Sequence, residues 1–274
     1  MTNHTLSFIG GGNMAHSLIG GLIADGWPAD RIHVADTDAD QLAQLAERFS
    51  ITTSRDNPAV VADADVVVLA VKPQVIRTVA SEISAAVQAR QPLIISIAAG
   101  IRSADLDRWL GGNTAVVRCM PNTPALVQSG ATALIANARV SDEQRDLAES
   151  ILRAVGLTLW LDDEQLMDAV TALSGSGPAY FFLIMEALQA AGVQLGLPEQ
   201  TAQLLALQTA FGAAKMALES DEDAATLRRR VTSPGGTTER ALQTLEAGGL
   251  RELIVRALTA ARDRSRELAD QLGQ

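Results

Sequence analysis

The chain has 274 residues, in which 22 basic side chains face 32 acidic ones, a formal net charge of −10. Hydrophobic residues make up 47%, too many for a disordered chain and enough to fill a sizeable core. The acidic balance argues against nucleic acid or an anionic membrane surface as partner, because phosphate-bearing partners select clustered Lys and Arg. Cys119 is the single cysteine, which excludes a disulfide framework and a multi-cysteine metal site. His4, His16 and His33 show no zinc-ligand spacing, so no metal is expected. No stretch approaches the ~18–20 apolar residues of a membrane span, and the start of the chain lacks a signal-peptide pattern. The expectation is a soluble, cytoplasmic protein of about two domains.

In chain order, short β-branched runs alternate with helical patterns as far as about residue 160. Strands are expected over Leu6–Ile9, Ile32–Ala35, Val66–Val71, Leu93–Ile97, Ala115–Met120 and Ala131–Ile135. Amphipathic helices are expected over Met14–Asp25, Asp40–Phe49, Val75–Arg90, Ser103–Leu110 and Ser141–Val155. Val66-Val67-Val68-Leu69 is apolar on both faces, as in a parallel strand covered by helices on each side. The alternation predicts an α/β domain with a doubly wound, mostly parallel sheet over residues 1–162.

From 163 to 274 Ala- and Leu-rich helical patterns take over: Gln165–Ala172, Ala179–Ala191, Glu199–Ser220, Ala224–Val231, Thr238–Ala247 and Leu250–Gln271. Gly175-Ser176-Gly177-Pro178, Gly196-Leu197-Pro198 and Pro234-Gly235-Gly236 punctuate them. Helices with more than one apolar face imply a subunit interface, so this half is expected to be an all-α dimerisation domain.

The first strand runs into Gly10-Gly11-Gly12-Asn13-Met14-Ala15, a G-x-G-x-x-A loop. One glycine makes the tight turn and another lets the backbone approach a pyrophosphate. The small Ala15 lets the helix pack closely, and the helix N-terminus faces the phosphates. The strand before and the helix after supply the context that the loop needs to read as dinucleotide-binding. Asp36 stands at the end of the second strand, followed by Thr37, Asp38 and Asp40. Three further strand ends reach the same sheet edge. They are Ala70-Val71-Lys72-Pro73, Ala98-Ala99-Gly100 and Met120-Pro121-Asn122-Thr123-Pro124. In the last, Asn122 and Thr123 are expected to offer hydrogen bonds to a carboxamide-like group.

These motifs, together with Ser174-Gly175-Ser176-Gly177-Pro178-Ala179-Tyr180 and Ser233-Pro234-Gly235-Gly236-Thr237-Thr238, resemble pyrroline-5-carboxylate reductase. The resemblance runs in order from residue 6 to the mid-240s, and Ser-Pro-Gly-Gly-x-Thr is far more specific than the glycine loop. It implies a Rossmann domain and a helical domain that interlocks with a second subunit. It also implies reduction of 1-pyrroline-5-carboxylate to L-proline, the last step of proline biosynthesis, by NADPH or NADH. Gly10, Gly12, Asn13, Met14, Val71, Lys72 and Pro73 would hold the cofactor's phosphates and ribose. Asp36, Thr37 and Asn57 would lie by the adenosine ribose. Ala98, Ala99, Gly100, Met120, Pro121, Asn122 and Thr123 would flank the nicotinamide. Ser233, Gly236 and Thr237 would bind the substrate carboxylate, with Thr238 at the ring nitrogen as the catalytic group.

The substrate chemistry fits the last motif independently. A cyclic imine carrying a carboxylate needs an anion anchor, and a Pro-Gly-Gly turn opening a helix presents unpaired N–H groups with a favourable dipole. An imine that enters protonated needs no strong acid, so the lack of a catalytic His or Cys is no objection. Asp36 favours the ribose hydroxyls of NADH over a 2′-phosphate, although Thr37, Arg55 and Asn57 could hold the phosphate if Asp36 turned to solvent.

Other residues read more simply. Lys72 serves either as a phosphate partner or through its backbone alone. Cys119 reads as a buried inert thiol, Tyr180 with Phe181 and Phe182 as packing, and His16 as packing or solvent-facing. Arg228-Arg229-Arg230 reads as the basic last turn of a helix. Two rival functions stand beside the resemblance. A β-hydroxyacid dehydrogenase would need a catalytic Lys after the Gly-Ser-Gly turn, where Pro178-Ala179-Tyr180 stands, leaving only the distant Lys215. A nucleotide-binding sensor without turnover would leave Ser233–Thr238 unexplained.

Overall fold

The structure is a computed structural model, and it describes residues 4–273. The chain divides into two compact units: everything up to Ser176 together with the segment from Ala261 onward, and Gly177–Ala260. The change of texture read at residue 162 precedes this division.

The first unit is an eight-stranded sheet in the order β3-β2-β1-β4-β5-β6-β7-β8. Its strands are β1 (Leu6–Ile9), β2 (Ile32–Ala35), β3 (Thr52–Ser54), β4 (Val66–Leu69), β5 (Leu93–Ser96), β6 (Val116–Met120), β7 (Gly130–Ala136) and β8 (Gly156–Trp160). Strands β3 to β6 in that order are parallel, β7 runs antiparallel to β6, and β8 is parallel to β7. β1 is central, pairing Leu6 with both Ile32 and Val66. β1 and β4 are buried along their whole length. Leu6, Phe8, Val66 and Val68 join one apolar cluster, and Ile9, Val67 and Leu69 join the other. Alternate side chains thus feed opposite faces, which is why the β-branched runs carry no polar stripe. Ser7 is fully buried and donates its hydroxyl to the Val60 carbonyl at 2.6 Å.

Helices α1 (Asn13–Ala24), α2 (Ala39–Phe49) and α6 (Asp142–Arg153) cover the first face. The other face is covered by α3 (Asn57–Val61), α4 (Ile76–Arg90) and α5 (Ser103–Trp109). A capping box at Ser141 and Gln144 starts α6, and Asp38 caps α2 through the amides of Asp40 and Gln41. Three elements escaped the sequence reading. β3 is a short polar edge strand, and β8 opens on Gly156 at φ +146° against β7. α3 spans only Asn57–Val61.

The boundary expected at Gly175-Ser176-Gly177-Pro178 is present, and it is tight. A π-helical turn, Thr171–Gly175, follows α7 (Met167–Val170), with Ser176 donating its N–H to the Thr171 carbonyl at 2.9 Å. α8 (Gly177–Gln194) starts immediately after, with Pro178 in its first turn, where its missing N–H costs nothing.

The second unit is all helical: α8, α9 (Glu199–Glu219), α10 (Ala224–Arg230), α11 (Thr237–Ala247) and the first part of α12 (Leu250–Leu272). α8 and α9 pack together, and a Cβ added at Gly192 would stand 3.2 Å from the Ala202 Cβ. Apart from Gly177 and Ala202 the residues of these two helices are not buried, and Phe181, Phe182, Leu183, Leu204 and Phe211 are exposed. Among the described residues no helix is long and apolar enough to cross a membrane. No group of three or more His, Cys, Asp or Glu is placed among them to hold a metal ion.

Candidate active site

The loop after β1 is fixed by neighbouring strand ends. Gly10 sits at φ +100° and donates its N–H to the Ala35 carbonyl at 2.8 Å. A Cβ there would lie 2.6 Å from the Ala70 carbonyl oxygen, so only glycine lets β1, β2 and β4 converge. Gly11 donates its N–H to Asp36 Oδ2 at 2.7 Å and accepts from Gln41 Nε2 at 2.5 Å. Gly12 is the N-cap of α1, with no side chain capping the helix. A Cβ at Gly12 would meet nothing within 4 Å, so the first-turn amides of Asn13 and Met14 open onto free space. Ala15 is fully buried beneath them. Beside the loop lies a cavity of about 710 Å³, lined by Gly11, Gly12, Asn13, His16, Gln41 and Arg48 among others. His16 packs edge-on against Phe49 at 4.9 Å, and burial followed by the Arg48 charge holds its pKa below the ordinary imidazole value. This agrees with packing rather than catalysis.

The remaining strand ends lie along the same carboxyl edge. Asp36 follows β2, and Thr37 beyond it is exposed. Asn57 opens α3, and its Nδ2 donates to Glu82 Oε2 at 3.0 Å. Ala70 donates its N–H to the Ile9 carbonyl at 2.8 Å, Val71 packs on the core, Pro73 is half-buried and Lys72 is exposed. After β5, Ala98 is buried, Ala99 is half-buried and Gly100 takes φ +73°. The C-terminal segment packs beneath this loop: Leu268 Cβ lies 3.7 Å from where a Gly100 Cβ would stand, and Arg102 pairs with Asp270 at 2.5 Å.

At the end of β6, Met120 packs against the cluster of Ala133, Ile135 and Met167, Pro121 is buried and Thr123 is exposed at the start of a 3₁₀ turn, Thr123–Val127. Asn122 makes two hydrogen bonds within the protein and keeps one N–H and one lone pair for a ligand. Its Oδ1 accepts the Ala131 N–H at 2.9 Å and its Nδ2 donates to the Ser174 carbonyl at 3.2 Å. The amide joins β6, β7 and the π-turn, so both of its ends are engaged within the protein. Cys119 is buried, and burial pushes its thiol far up in pKa, as an inert core group requires.

Sequence reasoning missed one charged cluster. Arg118 on β6 is only 3% exposed, and its Nη1 reaches Glu164 Oε1 at 3.0 Å. Glu164 also accepts the Ser103 N–H at 2.8 Å and the Ser103 hydroxyl at 2.6 Å. Burial works to raise this carboxyl's pKa, but the bonds from Ser103 and Arg118 outweigh it and hold it below the usual value. The partners are remote in sequence, so no local pattern could announce them.

In the second unit, the Ser233–Thr238 segment forms the entry to α11. Gly235 takes φ +72° and donates its N–H to Glu239 Oε2 at 2.8 Å. The Gly236 N–H closes on the Ser233 carbonyl at 3.0 Å. Two of the turn's amides are therefore engaged internally, and the open ones belong to Thr237 and Thr238 in the first helical turn. Gly236 is an N-cap without a side-chain cap, and Ser233, Thr237 and Thr238 are exposed. Lys215 is exposed and lies 3.7 Å from Glu219, so the dehydrogenase rival's lysine stands in a surface pair on α9.

Residues 5–100 match the model of the coenzyme F420-dependent NADP oxidoreductases, and residues 164–268 match that of pyrroline-5-carboxylate reductase dimerisation. A glycine-loop Rossmann sheet followed by such helices defines the class: an oxidoreductase with a dimerisation domain. The chain is 56% identical to the pyrroline-5-carboxylate reductase of Pseudomonas aeruginosa, over 100% of both chains. The solved pyrroline-5-carboxylate reductase of Coxiella burnetii superposes with a TM-score of 0.94 at 50% identity, covering 98% of this chain and 99% of that one. The Plasmodium falciparum pyrroline carboxylate reductase, solved with NADP bound, gives 0.86 at 29% identity over 98% and 99% of the two chains. The chain belongs to the pyrroline-5-carboxylate reductase family.

Proposed function

We propose that this protein reduces the C=N bond of 1-pyrroline-5-carboxylate with NADPH or NADH, giving L-proline. The observation that supports this reading is the joint presence of two helix starts with no side-chain cap, at Gly12 on α1 and at Gly236 on α11, each fit to take an anion. They occur in a chain aligned end to end with a reductase of that name. Gly12 is where the fit to a dinucleotide is tested: the amides of Asn13 and Met14 face open space that any Cβ would fill.

When bound, NADPH or NADH supplies a hydride. The glycine loop with Gly10, Gly12, Asn13 and Met14 holds the pyrophosphate. Asp36, Thr37 and Asn57 border the adenosine ribose, with Ala70, Val71, Lys72 and Pro73 beside it. Ala98, Ala99, Gly100, Met120, Pro121, Asn122 and Thr123 form the nicotinamide end. Ser233, Gly236 and Thr237 anchor the substrate carboxylate through the α11 N-terminus, and the Thr238 hydroxyl hydrogen-bonds the ring nitrogen. The substrate enters as an iminium, so the carbon accepts the hydride pair and the nitrogen keeps the proton it brought. No general acid is required.

The apolar exposure of α8 and α9 supports a homodimer or larger homo-oligomer, with a small-molecule substrate, no nucleic acid and no membrane as partners. The protein's site of action is read as the cytoplasm. The test is consumption of each reduced cofactor with added pyrroline-5-carboxylate, with proline identified as product. Purified protein that binds the cofactor but forms no proline overturns the reading.

A further inference from the structure

The turn between β2 and α2 carries Asp36 and Asp38, and Asp40 stands in the first turn of α2. Asp38 is committed to capping α2, its Oδ1 accepting from Asp40 and Gln41 at 3.0 and 3.2 Å. Asp36 is held differently. Its Oδ2 accepts the Gly11 N–H at 2.7 Å and its Oδ1 accepts the Asp38 N–H at 3.0 Å. Each carboxylate oxygen is thus tied to main chain, one to the glycine loop and one to its own turn. Each keeps a lone pair for one more donor.

The rotation to solvent that would clear this corner for a phosphate breaks both bonds and leaves the amide of the buried Gly11 without its acceptor. Two basic groups stand in this region: Arg55, one residue past the register pair of Ala35 with Ser54, and Arg48, which lines the cavity beside the glycine loop. Arg55 is exposed, and among the described residues it forms no ion pair that would neutralise Asp36. Lys72 is likewise exposed and unpaired among them.

We infer that Asp36 sets the cofactor preference of this chain, accepting hydrogen bonds from the ribose hydroxyls of NADH and disfavouring the 2′-phosphate of NADPH. A hydroxyl donates to a fixed carboxylate, whereas a phosphate offers no proton and adds like charge. The inference rests on the dinucleotide-reductase reading above.

Calorimetric titration with ADP-ribose and with 2′-phospho-ADP-ribose isolates this corner from the chemistry. Wild type is expected to bind ADP-ribose at least about tenfold more tightly, and Asp36→Ser to shift the ratio of the two affinities by about 10–100-fold towards the phosphate. The ratio of kcat/KM for NADH over NADPH should move the same way. Arg55→Ala, on an exposed side chain, tests the competing cation and should leave the wild-type preference for ADP-ribose in place. Tighter binding of the 2′-phosphate by wild type overturns the inference, as does an unchanged ratio in a folded Asp36→Ser. A reductase that forms proline but favours NADPH sinks the inference alone. Absence of binding to either nucleotide, with no proline formed, removes the reductase reading as well.

Discussion

Gly10 and Gly12 stand two residues apart in one motif, yet the structure predicts opposite consequences for Ala at each. Gly12 has φ −64° and ψ −176°, open to any residue, and an added Cβ meets no atom within 4 Å. Gly12→Ala therefore costs only the difference between Gly and Ala at an N-cap, below about 1 kcal/mol, or roughly 2–4 °C in melting temperature for a chain of this size. The new methyl stands where a pyrophosphate approaches the first-turn amides. Displacing even one charge-assisted hydrogen bond worth about 1.5–3 kcal/mol weakens cofactor binding by about 10–100-fold. Gly10 has φ +100°, and its added Cβ would lie 2.6 Å from the Ala70 oxygen and 2.8 Å from the Ala70 carbon. Backbone strain of about 1–3 kcal/mol adds to an overlap that only separation of β1 from β4 relieves, so Gly10→Ala should melt at least ~10 °C lower. Differential scanning calorimetry paired with cofactor titration reads both. Wild-type cofactor affinity in Gly12→Ala, or wild-type melting in Gly10→Ala, refutes this assignment of the two glycines.

Thr238→Ala, on an exposed side chain in the first turn of α11, should lower kcat by about 10–100-fold with cofactor affinity unchanged. A kcat within about twofold of wild type would take the hydroxyl out of the mechanism. Analytical sedimentation should find a dimer or larger assembly, because Phe181, Phe182 and Phe211 are otherwise left to water; a stable, active monomer would refute it. Glu164 has its folded pKa held below the usual 4.5. Its contribution to stability is therefore complete above the unfolded pKa and lost as pH falls through the folded one. Glu164→Gln should flatten the acid side of a melting-temperature profile and cost about 3 kcal/mol near neutral pH, since Arg118 keeps a buried charge. An acid limb identical to wild type would show that the pair does not couple to folding.

What the sequence made legible was what is local. β4 starts where the run Val66-Val67-Val68-Leu69 puts it, because a strand buried on both faces favours apolar residues at every position. The glycine loop was legible because its turn, its close approach and its helix start are consecutive residues. β3 and β8 were not: Thr52–Ser54 is a polar edge, and β8 alternates between half-buried and exposed positions. The π-turn was hidden by Gly175 and Pro178, which read as a break although both fit where a helical segment ends and another begins. The ties that organise the site were the least visible, since Gly11–Asp36, Arg118–Glu164 and Ser103–Glu164 join residues distant along the chain.

These ties also separate two reasons for a residue to belong to a motif. Asn122 and Ser174 come from motifs far apart in sequence, but they are joined by a hydrogen bond. A side chain at Gly175 would overlap the Met120 methyl. The Met120–Pro124 segment and the Ser174–Gly177 turn are thus one piece of structure, and part of their resemblance to a family is a packing requirement. Asn57 donates to Glu82, and Asn122 both donates and accepts inside the fold. Among the described residues the side chains of Lys72, Thr123, Ser233, Thr237 and Thr238 are exposed and make no hydrogen bond within the protein. A polar group in a motif that the fold leaves unsatisfied has its partner in a ligand or in water, whereas one that the fold satisfies holds the backbone that faces the ligand. By this criterion the proposed substrate end combines the open amides at the start of α11 with exposed side chains, Thr238 among them. The proposed dinucleotide end rests largely on main chain, with the Asp36 carboxylate both tied to the glycine loop and open to one further donor on each oxygen. That division explains why the glycines are the positions at which a single added methyl should weaken cofactor binding, at Gly12, or lower the stability of the fold, at Gly10.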